Sequence, residues 1–245
     1  MFDVFADSRK TNESQRQTTG YPRVNTPKKI EAVALDMDGL LLNTEDLYQE
    51  VCQTLMARRG KKYDEEVRRK MIGLPAPLAF GVLIEHGGLT DSWQQLQEET
   101  DALFEGILEA RLEPMPGVGR LMETIRTHGL PRCVATSSTT SFATKVLDQV
   151  GLLSQLDFLI TAEEVGKGKP HPDIYLAAAQ RMGVSPDAML VLEDSETGTK
   201  AGVSAGANVI SVPNEHTRHG RFEGARLIAE TLQDARIYAW LSHGR

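Results

Sequence analysis

The spacing of hydrophobic positions in residues 30–112 changes from a short continuous run to a helical repeat. The run Glu31–Leu35, EAVAL, predicts a buried strand. After it, apolar residues recur every three or four positions in four stretches, and the first three stretches end at Gly60, Gly73 and Gly87. We expect four amphipathic helices here, which together can bury a core of their own.

From residue 113 onwards, predicted helices and strands alternate. The predicted strands are Arg132–Ala135, Asp157–Ile160, Met189–Leu192 and Asn208–Val212, and the predicted helices are Val118–Ile125, Phe142–Val150, Ile174–Met182 and a last one reaching Ala205. Strands separated by helices of this length form a parallel sheet that is covered on both faces. The sequence therefore predicts an α/β fold with a helical segment inserted after the first strand.

This pattern divides the chain into three parts. Residues 1–28 are rich in Ser, Thr, Asn, Gln and Arg without a helical or strand period, which predicts a disordered N-terminal leader. Residues 29–44 and 113–245 form the predicted α/β core. Residues 45–112 form the predicted helical insert.

Composition limits the partners of the chain. With 34 acidic and 27 basic residues, the 245-residue chain carries a net charge of -7, which argues against nucleic acid or an anionic membrane as the main partner. Cys52 and Cys133 lie in apolar segments without metal-type spacing, which favours reduced core thiols. The sequence shows neither a membrane-spanning run nor a secretory signal. We expect a soluble, cytoplasmic monomer.

Polar residues follow four of the predicted strands at their carboxyl ends. They are Asp36 and Asp38, then Thr136-Ser137-Ser138, then the loop 166–170 with its lysines, and finally Glu193-Asp194-Ser195. In an open parallel sheet the ligand site lies beyond the carboxyl ends of the strands, so these groups should converge. Up to four carboxylates at one edge need a cation between them, and carboxylate oxygens favour Mg²⁺. One lysine and a few hydroxyl or amide donors would complete a site the size of a phosphate group.

Four ordered motifs carry a family resemblance: DMDGLLLNTE, VATSS, GKGKPHPD and LEDSETG. From Ile30 onwards the chain resembles the phosphatase branch of the haloacid dehalogenase (HAD) superfamily, and it is similar to pseudouridine-5′-phosphatases and to β-phosphoglucomutase-like proteins. The resemblance implies a Rossmann-like parallel sheet core with an inserted four-helix cap domain. It also implies a Mg²⁺-dependent phosphatase that hydrolyses a small phosphomonoester, a sugar or nucleoside phosphate, through an aspartyl phosphate.

The resemblance assigns a role to each matching residue. Asp36 is the expected nucleophile, and Asp38 is the expected acid that protonates the leaving alkoxide and then the base that activates water. Thr136 and the amide of Ser137 would bind the transferring phosphoryl group, and Lys169 would bridge that group and the nucleophile.

The expected metal ligands are Asp36, the backbone carbonyl of Asp38, and Asp194. Glu193 is expected as a further ligand or as a partner of the ligands. Lys167 competes with Lys169 for the role of the site lysine, and the Lys-Pro match favours Lys169.

The histidines receive no catalytic role, because the mechanism already has its acid and base. We expect His171 to be a loop residue, and His86, His216 and His219 to be structural or solvated.

Two alternatives to hydrolysis remain. A phosphoglucomutase-like phosphotransferase of this family uses a cap histidine, a cap arginine and a lysine after the second motif. The matching positions here are Tyr48, Ala76 and Thr139, which favours hydrolysis. The second alternative is a non-catalytic binding protein on the same fold. It would have little reason to keep carboxylates that repel one another without a metal.

The loop Met71–Pro77 is apolar. In the family that the chain resembles, this loop contacts the leaving group, so we also expect a leaving group without a second phosphate.

Overall fold

The computed structural model describes residues 29–71 and 76–242, and its centre is a six-stranded parallel sheet in the order β3-β2-β1-β4-β5-β6. The strands are β1 (Ala32–Leu35), β2 (Arg132–Thr136), β3 (Phe158–Thr161), β4 (Met189–Glu193), β5 (Asn208–Ser211) and β6 (Leu227–Ile228). The predicted α/β class and Rossmann-like core are confirmed. The predicted leader, residues 1–28, lies outside the described residues.

Helices cover both faces of the sheet and form the insert between β1 and β2. They are α1 (Thr44–Ala57), α2 (Glu65–Met71), α3 (Ala76–Gly87), α4 (Trp93–Arg111), α5 (Val118–Thr127), α6 (Thr140–Gln149), α7 (Asp173–Met182), α8 (Glu196–Ser204) and α9 (Ala235–Ser242). Side chains of β1 alternate between the two faces: Val33 and Leu35 pack with α5, α6 and α9, whereas Ala34 packs with α7 and α8. The sheet is therefore buried on both sides, as its apolar strands predict.

The inserted helices α1 to α4 enclose a separate hydrophobic cluster. Its buried members are Leu55, Met56, Val67, Phe80, Leu83 and Leu96. The start of α4 is fixed by a capping box in which the Ser92 side chain accepts from the Gln95 amide and the Gln95 side chain accepts from the Ser92 amide. These contacts agree with the predicted helical insert, while the domain boundaries at residues 45 and 112 stay a prediction.

Predicted and observed elements differ mainly at their ends and at the carboxyl terminus. The ends of the predicted strands differ from those of the observed strands by one residue, because an apolar run does not show which terminal residue forms hydrogen bonds with the neighbouring strand. The sequence analysis missed β6, which has only two residues, and it also missed α9. Cys52 and Cys133 are buried and unpaired, as expected. No helix among the described residues has both the length and the apolar character needed to cross a membrane.

The sheet order places β1 between β2 and β4. The carboxyl ends of these three strands carry Asp36, Thr136 and Glu193. The strand order reverses at β1, where chain connections leave in opposite directions and a crevice opens beyond the strand ends. Residues far apart in the sequence are therefore brought to one edge.

Candidate active site

A tight turn follows β1 and separates Asp36 from Asp38. Gly39 has a φ of 76°, a left-handed conformation that glycine adopts without a steric cost. A Cβ atom at Gly39 would lie 2.5 Å from Nδ2 of Asn214 and 2.8 Å from Oδ2 of Asp194. Both the conformation and the close approach therefore require glycine at this point of the turn.

Three carboxylates meet beside this turn. One oxygen each from Asp36, Glu193 and Asp194 lie within 4.8 Å of one another, and all three residues are buried. Gly198 at the start of α8 makes room for them, since a Cβ there would lie 1.8 Å from Oε1 of Glu193. The structure therefore brings three of the four predicted carboxylates together, and Asp38 lies outside this group.

The charge of this cluster is incompletely balanced by the protein. Burial raises the pKa of Asp36 well above its usual value, and repulsion from Glu193 adds to the effect. Burial, followed by repulsion from Asp36, likewise raises the pKa of Asp194. Buried hard oxygen donors with excess negative charge suit a divalent cation, which would hold the carboxylates ionised.

Lys169 is the cation that the structure supplies to this cluster. Its ammonium group donates to Oδ1 of Asp36, to Oε1 of Glu193 at 2.6 Å and to the carbonyl oxygen of Ala135 at 2.9 Å. Burial, the largest single effect, opposes a charge on Lys169. Attraction by Asp36 and Glu193 outweighs burial, so the pKa of Lys169 lies well above its usual value. Lys169 therefore stays charged and directs one oxygen of Asp36.

Asp38 lies apart from the three clustered carboxylates and accepts hydrogen bonds from three hydroxyl groups. Thr44 donates at 2.7 Å, Ser138 at 2.8 Å and Thr136 at 3.1 Å. The Thr136 hydroxyl also accepts from the amide of Ser138 at 3.0 Å. The structure therefore joins Thr136 to Asp38. Ser137, which the sequence placed in the site, is exposed next to them.

The sequence analysis missed two residues that donate hydrogen bonds to the clustered carboxylates. The hydroxyl of Tyr175, a fully buried residue of α7, donates to Oε1 of Glu193 at 2.5 Å. Asn214 donates from Nδ2 to Oδ2 of Asp194 at 2.9 Å and to the carbonyl of Gly39 at 3.0 Å. Tyr175 follows the GKGKPHPD motif but fits the apolar helical repeat, and Asn214 belongs to none of the four motifs.

The insert presents Tyr48 where the mutases of this family have a histidine. Tyr48 lies on α1, is 42% exposed, and packs its ring against Phe104 with a centroid distance of 4.9 Å. Thr139 caps the start of α6 by accepting from the amide of Phe142. Of the apolar loop Met71–Pro77, residues 72–75 lie outside the described residues, so the expectation drawn from it stays a prediction.

Comparison with known proteins assigns the class of protein that this fold and site define. The family model described as haloacid dehalogenase-like hydrolase matches residues 33–212. The chain belongs to this family and is a hydrolase of its phosphatase branch.

Relatives and solved structures support this assignment. The chain is 34% identical over 213 residues to a probable pseudouridine-5′-phosphatase from Drosophila melanogaster, covering 84% of this chain and 92% of that protein. It is 33% identical over 219 residues to (DL)-glycerol-3-phosphatase 2 from Arabidopsis thaliana, covering 86% and 91%. A crystal structure from Thermotoga maritima, titled "putative beta-phosphoglucomutase", aligns with a TM-score of 0.73 and 27% identity over 86% of this chain and 99% of that chain.

Proposed function

We propose that the chain is a Mg²⁺-dependent phosphatase that hydrolyses a small phosphomonoester, a sugar or nucleoside phosphate, through an aspartyl-phosphate intermediate on Asp36. The observation that carries this proposal is the pairing of Asp36 with Lys169, beside a separate Asp38 that is surrounded by hydroxyl donors. Lys169, together with Mg²⁺ when it is bound, would keep Asp36 charged as the nucleophile, and Asp38, which pairs with hydroxyl groups instead of the lysine, would be available for proton transfer.

In the first step, the free carboxylate oxygen of Asp36 attacks phosphorus while the bond from phosphorus to the leaving oxygen breaks. Asp38 donates its proton to that leaving alkoxide. In the second step, Asp38 takes a proton from the water that attacks phosphorus, and the bond from phosphorus to Asp36 breaks. Inorganic phosphate leaves, and both aspartates return to their starting protonation states.

The remaining site residues position and neutralise the phosphoryl group. Lys169 contacts Asp36 and would also bind a phosphoryl oxygen, which reduces the repulsion between two anions. Thr136 and the amide of Ser137 would bind the other oxygens. Asp36, Asp194 and the backbone carbonyl of Asp38, with Glu193, would hold Mg²⁺. When bound, Mg²⁺ supplies the positive charge that makes attack on a phosphate dianion feasible.

The inserted helices are proposed to act as a cap, residues 45–112, over the core formed by residues 29–44 and 113–245. The two connecting segments lie side by side: Leu42 pairs with Pro114, and the amide of Met115 donates to the carbonyl of Leu41 at 2.9 Å. Short paired connections can act as a hinge, and closure of the insert would exclude water from the first step. We also propose a cytoplasmic monomer that acts on free metabolites.

The test is phosphate release from pseudouridine 5′-phosphate, glycerol 3-phosphate and hexose phosphates, with and without Mg²⁺. We expect Mg²⁺-dependent release by the wild type, and loss of release in Asp36→Asn, which keeps the shape of the side chain but loses its charge. Release that is equal in Asp36→Asn would refute the proposed nucleophile. The relatives carry names for different substrates at similar identity, so the panel is needed to rank substrates.

A phosphoglucomutase-like activity is the second candidate, because a structural neighbour is titled "putative beta-phosphoglucomutase". Tyr48 and Thr139 argue against it, since neither supplies the positive charge that a bisphosphate intermediate needs. Interconversion of hexose 1- and 6-phosphates without phosphate release would favour the mutase over the phosphatase.

A further inference from the structure

A polar cavity of about 350 Å³ lies between the helical insert and the loop that follows β5. Its lining includes five basic side chains, which we call the arginine pocket: Arg68, Arg69, His216, Arg218 and His219. Glu65 and Glu215 also line it. Three arginines and two glutamates line the arginine pocket, and Asp46 contacts its His216, so the pocket concentrates arginines in a chain whose net charge is -7.

One of these arginines is fixed in place. Arg68 is 7% exposed and makes a two-pronged ion pair with Glu65, with Nη2 at 2.7 Å and Nε at 2.9 Å. Its Nη1 lies 3.0 Å from Nδ1 of His216. A buried, fully oriented guanidinium is unusual on a surface helix, since arginine is rarely buried without a use for its charge.

A second arginine of the pocket, Arg218, has no acidic partner among the residues that the structure describes. Arg218 is exposed, and no carboxylate in residues 29–71 or 76–242 lies within ion-pair distance of it. Glu65, the nearer of the two glutamates to the fixed arginine, is already bound by both Arg68 and Arg69. The pocket therefore offers an unpaired guanidinium beside a rigid one, which is the arrangement that oxyanions prefer.

Two short connections, one through hydrogen bonds and one along the start of α1, link the arginine pocket to the active site. On the core side, Asn214 holds Asp194 and accepts at its Oδ1 from the amide of His216 at 2.8 Å. On the insert side, the ring of His216 lies 2.6 Å from Asp46, two residues after the Thr44 hydroxyl that donates to Asp38. The pocket is thus one layer of residues away from the proposed catalytic aspartates.

We propose that the arginine pocket binds a phosphate or carboxylate group of a small metabolite at the seam between the insert and the core. This phosphate or carboxylate group can come from two sources. It is either a second anionic group on the substrate, a possibility that rests on the proposed phosphatase function, or a free anion that binds beside the substrate. A second phosphate on the substrate would contradict the expectation, drawn from the apolar loop Met71–Pro77, that the leaving group carries no second phosphate.

The test compares Arg218→Gln with Arg221→Gln as the matched control. Both arginines are exposed in the loop after β5, and Arg221 does not line the pocket. The first arm measures kcat/KM for two substrate pairs that differ by one anionic group: 3-phosphoglycerate with glycerol 3-phosphate, and fructose 1,6-bisphosphate with fructose 1-phosphate. If the substrate supplies the anion, Arg218→Gln lowers the ratio within each pair by about tenfold or more, as expected for the loss of one charge-assisted contact. Arg221→Gln leaves both ratios unchanged.

The second arm needs no turnover. It measures the rise in Tm on adding sodium sulfate, against sodium chloride at equal ionic strength, for wild type and both variants without Mg²⁺. A free-anion site predicts a smaller rise in Arg218→Gln than in wild type and Arg221→Gln, with unchanged substrate ratios. If the ratios and the sulfate response are the same in all three proteins, the proposal is wrong. If no phosphomonoester is hydrolysed, the proposed function fails, and the sulfate arm still decides for or against the pocket.

Discussion

Replacing Tyr175 by phenylalanine tests whether the carboxylate of Glu193 depends on a buried hydroxyl. The change removes one oxygen and leaves the ring, so it opens little space in the core. Burial raises the pKa of Tyr175 well above its usual value, so the hydroxyl keeps its proton and remains a donor at neutral pH. The lost contact is a 2.5 Å hydrogen bond to Glu193, which is itself fully buried.

The expected loss of stability depends on the charge of the group that accepts this hydrogen bond. A hydrogen bond to a charged group contributes about 1.5–3 kcal/mol, compared with about 0.5–1.5 kcal/mol for a neutral pair. Glu193 would keep Lys169 and the Ser195 hydroxyl, at 2.6 and 3.0 Å, so it is not left wholly unpaired. We therefore expect Tyr175→Phe to lower the free energy of unfolding by about 2 kcal/mol. For a chain of this size, this corresponds to a fall in Tm of roughly 4–8 °C.

The assay is urea denaturation of wild type, Tyr175→Phe and Tyr238→Phe at neutral pH without Mg²⁺. Tyr238 is a matched control because its hydroxyl donates to a neutral backbone carbonyl, that of Leu232, at 2.9 Å. Tyr238→Phe should lower the free energy of unfolding by about 1 kcal/mol or less. If Tyr175→Phe costs no more than Tyr238→Phe, the reasoning that Glu193 is a charged carboxylate held by Tyr175 is refuted.

Three further predictions concern the insert and the proposed metal site. Arg59→Ala should lower the free energy of unfolding by about 1–2 kcal/mol in urea titrations, because Arg59 binds both Asp91 and Glu99 at 2.7 Å; an unchanged midpoint would contradict this. Hydrogen bonds from Arg59 lower the pKa of Asp91 and of Glu99, so their stabilisation is complete above their unfolded values of 3.8 and 4.5 and is lost as the pH falls through the lowered values. The stability gap between wild type and Arg59→Ala should accordingly narrow in titrations below about pH 4, and a gap that widens there would show the sign to be wrong. Asn214→Ala should raise the Mg²⁺ concentration for half-maximal phosphate release about tenfold, since Asn214 orients Asp194; an equal Mg²⁺ requirement would show that this hydrogen bond does not prepare the ligand.

The sequence was most informative where local pattern and chain direction act together. Apolar runs located β1 to β5, and the parallel order of those strands required Asp36, Thr136 and Glu193 to meet at one edge. Lys169 was assigned by its motif, and the structure brings its ammonium group to Asp36. The roles of these residues in catalysis stay predictions.

Contacts between polar side chains that are distant in the sequence could not be predicted. Tyr175 occupies an apolar position of α7, so its repeat predicts core packing and says nothing about where the hydroxyl points. Arg68 and His216 are 148 positions apart, and only the folded chain brings them together. His216 makes structural contacts with Asp46 and Arg68, and the sequence pattern did not identify these two partners.

The most direct test of the account is to look for the phosphoryl group on Asp36. Wild type and Asp36→Asn would be mixed with Mg²⁺ and the best substrate of the panel, quenched in acid within the first turnover, and digested for mass spectrometry. If Asp36 is the nucleophile, the wild-type peptide containing Asp36 gains the mass of one phosphoryl group, and the same peptide of Asp36→Asn does not. Rapid phosphate release by wild type with no such adduct in any quenched sample, or an adduct on another residue, would contradict it.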